Sequence, residues 1–260
     1  MLFAITIIFA LYYLVANSIK TAAEINVSQF TPPKSLNFSN IKYVWKKADI
    51  GVSFRNSLII CTSGCLISVC ISLITGFAFT FLRFRGKRLL SYLIVSTMYI
   101  SPMALVVPLY LQMRQLHLTN TFAGIIIIYL GITLAFAIYL MTTYLKAIPE
   151  EIIEAAVIDG CGNTGILLRI ILPLMKPGIM VVGVINFSVM WNDLLFAFIF
   201  LQKVEKQTMM IAITSFRGAM GGGNMAYIMS SLLIATIPIM VIYLFTQKFF
   251  KEGMSMGAIK

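Results

Sequence analysis

The sequence contains few charged residues, and acidic residues are especially scarce. Only 11% of its 260 residues are charged, with nine Asp and Glu against twenty Lys and Arg. A soluble globular chain has about 25% charged and roughly 45–50% apolar residues. This chain is 60% hydrophobic and has a mean hydropathy of +0.94. The composition therefore predicts a protein of the lipid bilayer.

The net charge of +11 would favour nucleic acid as the partner of a soluble protein. In this chain the basic residues lie in loops between apolar runs, where they face lipid headgroups and set the topology. The lipid bilayer is therefore the expected partner, and no nucleic-acid partner is predicted.

The chain also lacks the residue sets that metal and nucleophile chemistry require. It has one histidine, His117, and four cysteines without Cys-x-x-Cys or Cys/His ligand spacing. The cysteines are therefore interpreted as small packing residues. Phosphate-loop, zinc-protease and nucleophile-elbow motifs are absent from the sequence. We predict a protein that is not an enzyme and has no metal site of its own.

Six apolar runs are each close to the roughly 20 residues that a helix needs to cross the hydrocarbon core. They predict an all-α integral membrane protein with six transmembrane helices in a single domain, residues 1–260. The predicted spans are residues 1–19, 56–82, 89–113, 118–145, 178–201 and 226–247.

The orientation of the spans depends on the Lys and Arg residues of the loops. Ten lie on each side of the predicted membrane, so their total does not decide the orientation. Four of them fall within the six residues from Arg83 to Arg88. That local density favours a cytoplasmic loop, and it puts residues 149–173 on the same side.

Residues 149–173 form a charged interruption in the apolar sequence. Four of the nine acidic residues fall between Glu150 and Asp159. Pro149 suits the first position of a helix, the acids suit its positive end, and Gly160 is a typical stop. The pattern therefore predicts a short helix before Gly160.

A second short helix is expected from Asn163 to near Pro173, because Asn and Thr cap helix starts well. One side of the first helix is small and weakly apolar. It carries Ile152, Ala155, Ala156 and Asp159. Such faces at a membrane surface favour contact with another protein, and a solvated loop between two spans is the alternative.

The fifth predicted span contains a polar patch of Asn186, Trp191, Asn192 and Asp193. An ionisable group inside a span usually faces a bundle interior or a water-filled path. Asn186 and Asp193, seven residues apart, would share one face of a continuous helix, so the patch is predicted to line a translocation path. Two alternatives stay open: Asn192 and Asp193 cap or hydrogen-bond a neighbouring helix, and Trp191 is a packing residue.

The segment 149–173 resembles the EAA signature of binding-protein-dependent ABC importer permeases. That signature reads E-A-A, three residues, G, nine residues, I-x-L-P. The sequence matches it, with every spacing preserved, at Glu154, Ala155, Ala156, Gly160, Ile170, Leu172 and Pro173.

Further segments resemble carbohydrate-type permeases, in particular the smaller permease subunit of maltose-type transporters. They are residues 55–58, 76–79 with 83–86, 107–110, 191–193, and 247–253 with 257–260. The family has a basic cytoplasmic leader before its first span, whereas Met1 begins inside that span. A truncated or misassigned start would explain the difference.

The resemblance implies a MetI-like ABC importer permease fold with a cytoplasmic coupling helix, in a bacterial cytoplasmic membrane. The implied substrate is a carbohydrate, in particular an oligosaccharide. The implied partners are a second, non-identical permease, two cytoplasmic ATPase subunits and an extracytoplasmic sugar-binding protein. ATP and Mg would bind to the ATPase subunits, and this chain would hold no cofactor. The residues implied to couple to the ATPase are the signature positions named above and Asp159.

The resemblance also implies that the glycine-rich loop 218–224 is external and faces the binding protein. Its implied contact residues are Gly221, Gly222, Gly223 and Asn224. A plain flexible linker is an equally good interpretation of these glycines.

Three other functions are alternatives to a carbohydrate importer. An ABC permease for polyamine or phosphonate would share the EAA signature but lacks the carbohydrate-type segments. A secondary transporter would show repeat symmetry or paired buried charges, and the sequence shows neither. A membrane scaffold would explain the spans but not residues 149–173.

Overall fold

The computed structural model describes residues 2–47, 49–217 and 223–258, which form helices and their connections without any β-strand. The helices are α1 (Leu2–Ser18), α2 (Ala22–Val27), α3 (Ser39–Lys47), α4 (Ile50–Phe81), α5 (Lys87–Thr97), α6 (Val106–Gln115), α7 (Phe122–Leu145), α8 (Glu150–Ile158), α9 (Asn163–Gly165), α10 (Leu172–Leu174), α11 (Lys176–Asn192), α12 (Leu195–Phe200), α13 (Met209–Thr214) and α14 (Met225–Ala258). This confirms the all-α prediction. Helices suit a bilayer because they satisfy their own backbone hydrogen bonds.

Three of the described helices, α4, α7 and α14, are long and apolar enough to cross a membrane. Two bent pairs would raise the number to five if each pair is one span. The apolar part of α1, Ile5–Ser18, is shorter than a full span. The six spans of the sequence prediction therefore stay a prediction.

Two of the predicted spans are broken within the described structure. In the third, the chain bends by 89° between α5 and the helical run Pro102–Gln115. A residue before proline disfavours helical backbone, and Ser101 is accordingly extended, with φ −63° and ψ 123°. The fifth is interrupted between the end of α11 at Asn192 and the start of α12 at Leu195.

The chain divides into two compact units, and the first comprises residues 1–59 and 193–241. Polar contacts hold the end of α1 in this unit. The Ser18 carbonyl accepts hydrogen bonds from Asn40 (3.4 Å) and Ser230 (2.9 Å). Lys20 is fully buried, and its ammonium group donates to Asn17 Oδ1 and the Ser28 carbonyl. The bonds to the Ser18 carbonyl satisfy a group that the end of α1 leaves free.

A second set of polar contacts in the first unit connects α4 with the chain before α13. The Asn56 side chain donates to the carbonyls of Glu205 (2.9 Å) and Gln207 (3.1 Å). The Ser57 hydroxyl accepts from the Met209 N–H (2.8 Å). Both side chains are buried, so these bonds fix the position of the loop between α12 and α13.

The second unit, residues 60–192 and 242–260, contains a hydrophobic cluster that we call the second-unit core. Its buried members are Leu73, Phe77, Ala137, Met141, Leu145, Ile148, Ala156, Ile166, Ile171, Met175 and Val182. Glycines allow close helix approach there, as small residues do in membrane helices. A Cβ added at Gly76 would lie 3.0 Å from Leu145 and 3.4 Å from Met141.

The start of α7 depends on a glycine at position 124. The Thr121 hydroxyl accepts from the Gly124 N–H (3.0 Å) and donates to the Leu118 carbonyl (2.7 Å). A Cβ at Gly124 would overlap that carbonyl oxygen, which belongs to the backbone. We expect Gly124→Ala to disrupt this turn and to lower the melting temperature of the purified protein by roughly 2–10 °C.

The matched control is Gly131→Ala on the same helix, where an added Cβ meets nothing within 4 Å. It should leave the melting temperature unchanged or raise it, because alanine favours helix. Tryptophan fluorescence during heating measures both variants. Equal melting temperatures for the two variants would show that the turn at Gly124 does not contribute to the stability of the protein.

Candidate functional site

The signature segment begins with the short helix α8, as the sequence predicts. Pro149 is its N-cap residue, with φ −59° and ψ 136°. It therefore lies one position before the first helical position at which the sequence predicted it. Glu150 and Glu151 occupy the first turn, where their carboxylates complement the positive end of the helix. The helix ends at Ile158 with Asp159 as its C-cap residue, directly before the predicted stop at Gly160.

The signature glycine closes α8 through a Schellman motif. Gly160 has φ +80°, the left-handed conformation that glycine adopts without penalty. Its N–H donates to the Val157 carbonyl (3.0 Å), and the Cys161 N–H donates to the Ala156 carbonyl (2.9 Å). These are the two hydrogen bonds that define the motif. Space is not the reason for the glycine, since a Cβ would meet nothing within 4 Å.

The two sides of α8 differ in burial. Ala156 is 5% exposed and packs with half-buried Ile153 into the second-unit core. Glu154 and Ala155 are exposed, and Ile158 is 85% exposed. The predicted small face therefore divides: Ala155 stays on the outer side, whereas Ala156 anchors the helix to its own chain.

The second half of the signature follows a π-helical turn, Ile166–Ile171, between α9 and α10. The Leu172 N–H donates to the Leu167 carbonyl, five residues earlier. Such turns are rare and are frequently found at functional sites. Ile166 and Ile171, also five residues apart, are both buried in the second-unit core. This turn anchors the segment on one side.

The signature residues after the π turn are less buried. Ile170 is half-buried, and Leu172 and Pro173 are exposed. The run Asn163–Leu174 ends in a bend of 77° to α11. The predicted second helix thus has the expected start and end, although Gly162, not Asn163 or Thr164, is its N-cap residue.

The structure buries two members of the fifth-span patch. Asn186 is 1% exposed and donates to the hydroxyl of Ser68 on α4 (2.8 Å). Trp191 is 2% exposed and stacks on Phe187, with ring centroids 5.5 Å apart. Both side chains therefore pack within the second unit.

The other two members lie at the break in the predicted fifth span. Asn192 is exposed, and its amide donates to the Ser188 carbonyl. The Asp193 carboxylate accepts from the N–H groups of Ala197 (2.9 Å) and Phe196 (3.4 Å), so it caps α12. Because α11 ends at Asn192, the expectation of a continuous helical face for Asp193 is wrong.

Sequence reasoning missed Ser68, the partner of Asn186. The two residues are separated by 118 positions, and their pairing follows from the packing of α4 on α11. α4 contains several other serines, so no sequence signal distinguishes Ser68 from them.

The predicted binding-protein loop is only partly described. Gly221 and Gly222 lie outside the described residues. Asn224 begins the turn into α14, where its carbonyl accepts from Tyr227 and Ile228. Asn224 also lines a cavity of about 630 Å³ in the first unit. Tyr43 and Tyr227, also in the cavity lining, stack with their centroids 4.4 Å apart.

Comparison with known proteins identifies relatives along nearly the whole chain. The profile of the family "Binding-protein-dependent transport system inner membrane component" matches residues 68–256. The chain is 30% identical over 250 residues to the melibiose/raffinose/stachyose import permease protein MelC of Bacillus subtilis, covering 96% of this chain and 90% of MelC. It is 26% identical over 264 residues to the arabinooligosaccharides transport system permease protein AraQ of the same organism, covering 100% and 93%.

The fold also matches solved structures. A chain from the crystal structure of a bacterial ABC transporter that imports the acidic polysaccharide alginate superposes with a TM-score of 0.84. The match is 24% identical and covers 96% of this chain and 92% of that one. A second alginate transporter structure, in complex with an alginate pentasaccharide-bound periplasmic protein, gives a TM-score of 0.63 at 15% identity, covering 81% of each chain. These likenesses confirm the predicted permease fold.

The Schellman motif of α8 generates a prediction about Gly160. An L-residue at φ +80° is strained by about 1–2 kcal/mol, so we expect Gly160→Ala to open the helix end more often. Hydrogen exchange of the Cys161 amide should accelerate roughly 5–30-fold. Mass spectrometry of the peptide that contains residues 156–162 measures this rate.

Gly162→Ala is the matched control, because Gly162 has φ −75° and an added Cβ there meets nothing within 4 Å. It should exchange at nearly the wild-type rate. An unchanged rate in the Gly160 variant would show that the left-handed backbone does not limit the stability of this helix end.

Proposed function

The chain belongs to the family of binding-protein-dependent transport system inner membrane components, and from this membership we propose that it carries oligosaccharides across the cell membrane as part of an ATP-driven importer. Members of this family are inner membrane components of transport systems. The membership confirms two predictions, that the chain is a transporter subunit and that it lies in the cell membrane. The observation that carries the proposal is the near full-length similarity to permeases named for saccharides.

The proposed substrate class follows from the sugars in those names. They are melibiose, raffinose and stachyose for MelC, arabinooligosaccharides for AraQ, and diacetylchitobiose for the permease NgcG of Streptomyces coelicolor, which is 24% identical over 260 residues. These are short saccharides of different composition. We therefore assign a class, a short oligosaccharide, and not one sugar.

The outer side of α8 is the proposed contact with a separate ATPase, which would bind the ATP and Mg. Glu154 and Ala155 are exposed there, next to the highly exposed Ile158. Val157 (57% exposed) adjoins Ile158, and adjoining exposed apolar side chains suit a protein interface better than a single one. Ala156 fixes the inner side of α8 to the second-unit core, and Ile166 and Ile171 fix the π-helical turn that follows to the same core. Because packed cores deform little, a displacement of the outer side would be transmitted to the long helices of this unit.

The partners that complete the importer are a second, non-identical permease and an extracytoplasmic binding protein. The chain around Asn224 is the proposed contact with the binding protein, together with Gly221, Gly222 and Gly223. The adjoining cavity presents Tyr43, Tyr227 and Phe216 beside polar Gln207. Tyrosine, with an apolar body and a polar end, is enriched at such interfaces.

The polar residues Asn192 and Asp193 are the proposed lining of the translocation path. Asn192 is exposed and Asp193 half-buried, whereas Asn186 and Trp191 are buried. Non-helical backbone at membrane depth occurs where it is buried in protein or lines a water-filled cavity. The exposed Asn192 favours the second case. Asn186 and Trp191 are buried, so they contribute to the proposed path only as packing residues.

We expect Glu154→Lys to uncouple the importer. The substitution reverses the charge on the outer side of α8 without altering its buried side, and a lost charge-assisted hydrogen bond reduces coupling by about tenfold or more. Sugar uptake into vesicles should fall by that factor, while ATP hydrolysis by the assembled complex continues.

Glu205→Lys is the matched control, since Glu205 is equally exposed but lies in the loop before α13. It should retain uptake. If Glu154→Lys and wild type take up sugar equally, the assignment of α8 as the coupling helix is wrong.

Cysteine labelling tests the proposed path. With the four natural cysteines replaced by alanine, Asp193→Cys should react with a small aqueous thiol reagent at different rates in the resting and ATP-trapped complex. The buried Asn186→Cys should be protected in both states. Equal protection of the two positions would contradict a water-filled path beside Asp193.

A further inference from the structure

The second unit contains a cavity of about 580 Å³ to which the proposed function assigns no ligand. It lies where the end of α4, the start of α5, the end of α7 and the start of α8 meet. Its lining includes three basic side chains, Lys87, Arg88 and Lys146, and one acidic side chain, Glu150. The remaining polar residues of the lining carry hydroxyl groups, and they are Thr80, Ser91, Tyr92 and Thr142.

Two of the basic groups are held in place by the protein. The Lys87 ammonium donates to the carbonyls of Thr80 (3.3 Å) and Leu82 (3.0 Å) at the end of α4. The Arg88 guanidinium lies over the Tyr92 ring, 5.6 Å from its centroid, and donates to its hydroxyl. An ammonium has three N–H donors and a guanidinium five, so both retain donors for a ligand.

The start of α5 adds to the positive charge of the cavity. The first N–H groups of a helix have no partner in the helix and carry partial positive charge. Gly86 is the N-cap residue and provides no side-chain cap, and the first turn contains no acidic residue. Instead, Lys87 and Arg88 occupy it. The helix dipole favours negative charge at this end, so two basic residues here are unfavourable. An anion in the cavity would reduce the repulsion between these positive charges.

Phosphate is the anion that this lining suits. Arginine and lysine bind phosphate oxygens through charge-assisted hydrogen bonds. The Thr80 and Thr142 hydroxyls donate to the carbonyls of Gly76 and Ile138, so the basic groups are the main donors to a ligand. The proposed orientation puts the adjoining Arg83–Arg88 loop at the cytoplasmic membrane surface, where anionic lipids attract basic side chains. Phe79, Phe81 and Ile148 line the same cavity and offer apolar contacts.

We propose that this cavity binds a phosphate group at the cytoplasmic membrane surface, supplied by an anionic phospholipid headgroup or by a soluble phosphate. The occupant would connect Lys146 at the end of α7 with Lys87 and Arg88 at the start of α5. Glu150, the first residue of α8, lines the same cavity and carries the same sign of charge as a phosphate. The three basic groups would therefore have to lie between the phosphate and Glu150. The proposal rests on the cytoplasmic orientation that the proposed function gives to this side of the protein.

The test compares two double variants of the assembled complex that lower its charge equally. Arg88→Gln with Lys146→Gln removes two cationic groups from the cavity. Arg83→Gln with Arg85→Gln removes two exposed groups of the same basic region that are not in the cavity lining. Native mass spectrometry counts the phosphatidylglycerol retained after purification from vesicles of phosphatidylcholine and phosphatidylglycerol.

We expect the cavity variant to bind phosphatidylglycerol about tenfold to thirtyfold more weakly than wild type, and the loop variant to bind it nearly as well. Equal loss in both variants would mean diffuse surface attraction and would overturn the site. Lys146→Gln alone is the fallback if the double variant does not assemble, and its retention at the wild-type level would also overturn the site.

A second arm distinguishes the two sources of phosphate. The complex in phosphatidylcholine alone is titrated with inorganic phosphate, and protection of the cavity from hydrogen exchange is measured. Protection that the cavity variant loses supports a soluble phosphate, and lipid retention supports a headgroup. Binding of neither overturns the proposal. Because no step measures sugar uptake, this result is independent of the transport assays.

Discussion

The structure depends on one constraint: inside a bilayer, backbone N–H and C=O groups need partners within the protein. A helix interior meets this requirement, and each helix end leaves groups free. The chain satisfies such ends in several ways. Thr121 caps α7, the Asp193 carboxylate caps α12, and Lys87 donates to the last carbonyls of α4. At α8 the left-handed Gly160 allows a Schellman motif.

These helix ends are also where the proposed functions lie. The end of α8 fixes the helix that would meet the ATPase, and the Asp193 cap lies at the proposed path. Lys87, which holds the end of α4, lines the basic cavity. The reason is common to all three. In a predominantly apolar chain most polar groups lie at helix ends, and polar groups are needed to bind a phosphate, to contact an ATPase or to line a path for sugar.

Sequence patterns predicted α8 more accurately than the third and fifth spans, because the interactions that start and end α8 are local. The start and end of α8 follow from Pro149 and Gly160, which act within one helical turn, and the structure places the helix there. The third and fifth spans each appear in the sequence as one apolar run. The apolar composition of a run indicates how long it is, but it does not indicate whether the helix axis bends within it. The extended Ser101 and the cap formed by Asp193 break the two spans, although both residues were visible in the sequence.

The sequence by itself determined the family, through the spacing from Glu154 to Pro173, because that spacing is a property of the chain that packing does not alter. Only the tertiary structure decided which signature residues are anchors. Ala155 and Ala156 are neighbours of one type, yet Ala156 is buried in the second-unit core and Ala155 is exposed. It likewise paired Asn186 with Ser68. Such contacts join distant parts of the chain, so they depend on how the helices pack.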